Sequence, residues 1–313
     1  MGFISEAQFV DLYLGDGFSD VKGLPGQPRR VQAPAEWEVE IQQLRERCQE
    51  HHNATQEPEF SLLVDDVVLR VTQLQDVNAK PLFVLNKSAV KILPLDDLGL
   101  PDQLHESLLD EFTRGLVFFC GEMGSGKTSS AASLVKARLE VHGGVALTVE
   151  DPPEPLLHGV HGPGRCVQVP VSRKQGGYEE ALIRALRTRA EIILVGEVRD
   201  SKTAMLVIQA SINGHFIICT GHSGNAALGI ERLAVLAQPL LSNALQVLSQ
   251  GLVAVIHQTL QTDSKGARRL KLQCLSLTGA DAPSIREKIR QGDIQLLEQD
   301  IAQQSSRSLW NDQ

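Results

Sequence analysis

A chain of 313 residues is long enough for two domains with separate cores, and 42% apolar and 22% charged residues is the composition of a globular protein. A net charge of −8, an aromatic share of 4% and no visible basic stripe argue against a nucleic-acid partner. No apolar run approaches the roughly 20 residues of a membrane span, residues 1–10 lack a signal-peptide pattern, and five scattered cysteines without a C-x-x-C pair point to the reducing cytoplasm and away from structural zinc.

In chain order, residues 20–31 are rich in Gly, Pro and Arg, as in loops and edge strands. Residues 35–48 place Trp37, Ile41, Leu44 and Cys48 on one apolar stripe, which predicts a helix. Residues 60–74 and 81–85 read as strands, so the first 98 residues are expected to form a small α/β domain. Residues 90–101 read as a linker. From Gly115 onward strands are expected at 116–120, 145–149, 166–169, 192–195, 216–219, 253–260 and 270–277. Helices are expected at 129–139, 178–189, 201–212, 226–237 and 241–250. Such alternation predicts a mostly parallel sheet covered by helices over residues 99–313. Residues after about 305 are polar and are expected to fray.

Gly121-Glu122-Met123-Gly124-Ser125-Gly126-Lys127-Thr128 fills every position of the phosphate-binding pattern G-x-x-x-x-G-K-[ST], and Ser129 continues it into the helix. A buried strand leads in and a helix leads out. Glycines there turn backbone N–H groups toward phosphates, and the helix N-terminus adds positive potential. Lys127 is expected at the β/γ-phosphates, and the Thr128 hydroxyl at Mg²⁺. The run ending in Gly196-Glu197 puts a carboxylate at a strand end, where it can help hold Mg²⁺ or polarise the attacking water. A second strand ends in Glu150-Asp151-Pro152-Pro153-Glu154, whose three carboxylates repel one another unless a cation is near. His222 stands where a strand feeds a polar turn and can reach a γ-phosphate.

With these four segments in this order, the chain resembles the secretion ATPase superfamily of type II secretion, type IV pili and type IV secretion. The phosphate loop, the acidic box at Glu150–Glu154, the Walker B segment Leu194-Val195-Gly196-Glu197-Val198-Arg199-Asp200 and the histidine box from Gly214 to His222 carry the resemblance over about residues 59–258. Ser284-Ile285-Arg286-Glu287-Lys288-Ile289-Arg290-Gln291 is similar to a motif of PilT-like retraction ATPases. The resemblance implies a RecA-like ATPase domain with a C-terminal helical region, preceded by a smaller PAS-like domain. It implies hydrolysis of ATP with Mg²⁺ between the domains, in a hexameric ring that drives a type IV pilus, retraction-like, or a secretion machine. The ring would be cytoplasmic and held at the inner membrane by a platform protein.

By this resemblance Glu197 is the catalytic glutamate, and Glu154 orients water or metal. Thr128 and Glu197 serve Mg²⁺. Arg70, at the end of Val67-Val68-Leu69, matches a family arginine that reaches phosphates, from a neighbouring subunit in the ring. A second such arginine falls near Asn86-Lys87, where none stands. Ala190-Glu191 in place of Pro-Asp and Thr220-Gly221-His222-Ser223 in place of T-L-H-T also depart from the pattern. These departures suggest a divergent branch, a type IV secretion or plasmid conjugation ATPase. A non-hydrolysing nucleotide-binding scaffold is the rival from another class.

Overall fold

The computed structural model describes the chain except residues 1, 28, 66, 88–91, 155, 263–267, 312 and 313. Two units form: Met1–Lys91 with Asp151–Leu156 and Pro170–Lys174, and Ile92–Glu150 with Leu157–Val169 and Gln175–Gln313.

The first unit opens with a short helix α1 (Phe3–Glu6), then strands β1 (Asp11–Gly15), β2 (Phe18–Lys22) and β3 (Val31–Gln32), helix α2 (Glu38–Thr55), and strands β4 (Glu59–Val64), β5 (Val67–Gln75) and β6 (Pro81–Lys87). The strands make one antiparallel sheet in the order β3-β2-β1-β6-β5-β4. The sequence stripe on α2 does what its spacing demands: Trp37, Ile41, Leu44 and Cys48 all bury. They join Leu12, Leu14, Leu69, Val71 and Leu85 in one apolar core. Gln56 ends α2 in the left-handed conformation, its N–H bonded to the His52 carbonyl at 2.6 Å.

The second unit begins with helix α3 (Asp102–Leu109), which the sequence pattern leaves without a helical signal of its own, directly after the expected linker. Leu95 and Leu98 just before it, and Leu104 and Leu108 on it, bury in the second core. The start of the expected linker, residues 90 and 91, lies outside the described residues. Strand β7 (Gly115–Gly121), helix α4 (Lys127–His142), β8 (Val145–Glu150), β9 (Gly159–His161), β10 (Gly164–Pro170), helix α5 (Gly177–Leu186), β11 (Ile192–Val195), α6 (Ser201–Ser211), β12 (Phe216–Gly221), α7 (Ala226–Ala237), α8 (Ala244–Gly251), β13 (Leu252–Thr262), β14 (Arg268–Ser276), α9 (Ala282–Gln291) and α10 (Leu297–Asn311) follow.

The sheet order is β14-β13-β7-β12-β11-β8-β10-β9. Its centre is parallel, and the pairs at both edges, β13/β14 and β9/β10, are antiparallel. The central strands are buried on both faces, as parallel strands under helices must be. Arg138 on α4 donates to the Leu108 and Asp110 carbonyls at 2.5 and 3.0 Å and lies 4.0 Å from the Phe216 ring, which ties the end of α3 to the layer above. The chain stays helical through Asn311, beyond the point where polarity alone suggests fraying. Among the described residues, no helix is long and apolar enough to cross a membrane.

Candidate functional site

The C-terminal ends of β7, β11 and β12 lie side by side, so the loops that follow them converge. After β7 the chain turns through Gly121, Gly124 and Gly126, all with positive φ, and enters α4 at Lys127. A side chain at Gly121 would clash with the backbone of Gln258. Glycine is needed there for both reasons. Lys127 is buried, and its Nζ donates to the Glu122 carbonyl at 2.6 Å. Met123 is exposed at the loop tip, while Ser125 is buried with its hydroxyl unpaired among the described residues. Thr128 and Ser129 are half-buried on the first turn of α4. A helix N-terminus, a buried lysine and an unpaired hydroxyl at one glycine turn fit a phosphate group.

After β11, Glu197 sits between Arg199 and His222. Arg199 donates to its Oε2 at 2.6 Å, and His222 Nε2 lies 3.0 Å from its Oε1. Partial burial alone would raise the Glu197 carboxyl. The Arg199 hydrogen bond and charge, with the charges of His222 and Lys127, outweigh it and hold the carboxyl below its ordinary value. His222 follows β12, and its Nδ1 stands 3.2 Å from the Gly121 carbonyl and 3.5 Å from Lys127 Nζ. One imidazole thus spans from the carboxylate to the phosphate loop. Asp200, the last residue of the segment that begins at Leu194, caps α6, accepting from the Thr203 N–H and hydroxyl at 2.9 and 2.8 Å.

The acidic box divides. Glu150 is buried in the second unit, where it accepts from Thr148 and Gln168 at 2.5 and 3.0 Å. Glu154 belongs to the first unit and pairs with Arg70 at 2.6 Å. Two of the sequence-expected residues are therefore brought together in the first unit, and Lys127, Glu197 and His222 in the second. Gly196, just before Glu197, packs against Tyr178 and Glu150, which lie 3.2 and 3.3 Å from where a Cβ would be. Lys87 does not present a free cation: its Nζ donates to the Ser5 and Ala7 carbonyls at 2.5 and 2.6 Å.

Sequence reasoning quotes Arg199 but gives it no role. Its signal is the two-residue spacing from Glu197, which returns a side chain to the same side of an extended segment. Gln258 is missed altogether. Its signal is a polar residue in the apolar run of β13, directly opposite Gly121.

Residues 51–311 match the family model described as Type II/IV secretion system protein. The chain belongs to this family. Among the family's proteins, the type IV pilus retractation ATPase PilT of Pseudomonas aeruginosa is 29% identical over 303 residues, covering 94% of this chain and 85% of its own. The crystal structure of the pilus retraction motor PilT with bound ADP superposes with a TM-score of 0.76 at 25% identity, over 100% of this chain and 94% of that one. The Legionella pneumophila ATPase DotB, at 19% identity and a TM-score of 0.72, covers 93% of this chain and 84% of its own and shares the fold. That fold is RecA-like, as the family resemblance implies.

Proposed function

We propose that this secretion family member hydrolyses ATP and converts the hydrolysis into mechanical work on a pilus or secretion machine. The observation that carries this reading is the chain of contacts from Glu197 through His222 to Lys127 and Gly121, which joins a carboxylate to a complete phosphate loop. Lys127 and the N–H groups from Gly121 to Ser129 would hold the β- and γ-phosphates. Thr128 and Glu197 would hold Mg²⁺, which when bound neutralises phosphate charge. Glu197 would orient the attacking water, and His222 would follow the γ-phosphate while keeping Glu197 in place. In the first unit Arg70 pairs with Glu154; we assign Arg70 to a phosphate held by a neighbouring subunit of a hexameric ring, and Glu154 to orienting water or metal. Similarity to PilT over nearly the whole chain supports a retraction-like motor at an inner-membrane platform, with type IV secretion the nearest variant.

The test is turnover against protein concentration. A ring motor shows specific activity that rises as subunits assemble, and Lys127→Ala abolishes it. Turnover absent at every concentration, with ATP still bound, would instead indicate a non-hydrolysing scaffold.

A further inference from the structure

Strand β13 reaches the phosphate loop with a polar pair, His257 and Gln258, that the proposed hydrolysis does not use. Gln258 is fully buried and pairs with Gly121, the first residue of the loop, in the sheet register. Its side-chain Nε2 donates to the carbonyl oxygen of Ser125 at 2.6 Å. The Ser125–Gly126 peptide is trans. In a trans peptide the carbonyl and the next N–H point in opposite directions. Holding the Ser125 carbonyl against β13 therefore turns the Gly126 N–H away from the strand. An anion-binding loop requires this arrangement, with carbonyls facing out and N–H groups facing in.

The surrounding residues are shaped around the contact. A Cβ at Gly126 would lie 3.2 Å from Gln258 Nε2, and one at Gly121 would clash with the Gln258 carbonyl. Two buried polar atoms, Ser125 Oγ and Gln258 Oε1, have no partner among the described residues. Core packing alone would favour an apolar side chain at this position, because unpaired buried polar atoms are costly. His257, the neighbour of Gln258 on β13, is also buried, and its Nε2 has no partner among the described residues.

We propose that Gln258 is a positioning residue: it fixes the 125–126 peptide of the phosphate loop for the phosphates of a nucleoside di- or triphosphate. The inference rests on the nucleotide-binding reading above. Gln258 acts through the backbone and touches no reacting atom.

The experiment compares the full chain with Gln258→Met, which keeps length and volume but cannot donate, and Gln258→Asn, whose amide is one methylene too short. Binding of a fluorescent ADP analogue is measured beside the melting temperature of the nucleotide-free protein, and turnover is split into KM and kcat. The expected result is a loss of ADP affinity of about tenfold or more in both variants. KM should rise more than kcat falls, and the nucleotide-free melting temperature should stay within a few degrees of wild type. Wild-type ADP affinity in a folded Gln258→Met overturns this inference and leaves the nucleotide reading standing. Loss of the fold without nucleotide in both variants makes Gln258 a packing residue and also overturns it. Wild-type protein that binds no ADP overturns the nucleotide reading itself, and this inference with it.

Discussion

Glu197→Gln separates chemistry from architecture in one substitution. The amide keeps the shape of the carboxyl group and its place between Arg199 and His222, but loses the charge. Removing a positioned general base typically costs 10²–10⁴ in rate, so turnover should fall by about that factor. The structural cost is much smaller. Arg199 is 65% exposed, and a pair of that exposure contributes about 0–1 kcal/mol. For a domain of this size 1 kcal/mol moves the melting temperature by about 2–4 °C. The stability difference also has a pH signature. The Glu197 carboxyl is held below its ordinary value, so its pairing stabilises the fold at neutral pH and loses that contribution only as pH falls through the ordinary carboxylate range and on through the lower folded value. Wild type and variant should therefore converge in stability in acid. The assay is ATP binding and single-turnover hydrolysis at pH 7, with melting curves from pH 7 downward. Loss of ATP binding while turnover per bound site persists, or a melting temperature lower by more than about 10 °C, beyond what an exposed pair can contribute, would refute the catalytic assignment and make Glu197 structural.

Arg70→Ala rings and Lys127→Ala rings should each be inactive, and mixing them should recover some turnover where an intact Arg70 meets an intact phosphate loop. Full activity of Arg70→Ala alone, or mixed rings that form without recovery, rules out the role across subunits. Lys87→Met should destabilise the first unit by about 1–3 kcal/mol, because the Ser5 and Ala7 carbonyls lose a charged donor. ADP affinity should not change, and a tenfold weakening would show that Lys87 replaces the missing second arginine after all. Gly121→Ala should lower both stability and nucleotide binding, since its Cβ would clash with Gln258 in a backbone conformation alanine rarely adopts. Unchanged melting and binding would count against the close approach of β7 and β13.

The phosphate loop was readable from sequence because its chemistry tolerates few residues: glycines where φ is positive, a lysine, a hydroxyl. The central strands were readable because burial on both faces makes uninterrupted apolar runs such as Ile192–Val195. Helix α3 was missed because its apolar pair, Leu104 and Leu108, gives too short a period beside Gly99 and Pro101. Strand β9 has only three residues, too few for an alternation to register. The division of the acidic box between the two units has no local signature. Glu150 and Glu154 stand in one short stretch of chain, and only tertiary partners send one to Gln168 and the other to Arg70. Residues acting through the backbone of another segment, as Gln258 does, are invisible to any motif confined to one stretch of chain.

The discontinuity of the first unit has a consequence for how the protein is made. Among the described residues its apolar core is drawn from residues between Ile4 and Leu85, so that core can close once residue 85 has left the ribosome. The polar fittings come later. Arg70 waits for Glu154, and Glu57 for Ser172, whose hydroxyl reaches it at 2.6 Å. At about 5–20 residues per second, the stretch from Leu85 to Ser172 takes roughly 4–17 seconds to synthesise. During that interval the nascent first unit has a closed core while Arg70 and Glu57 still lack these late-arriving partners.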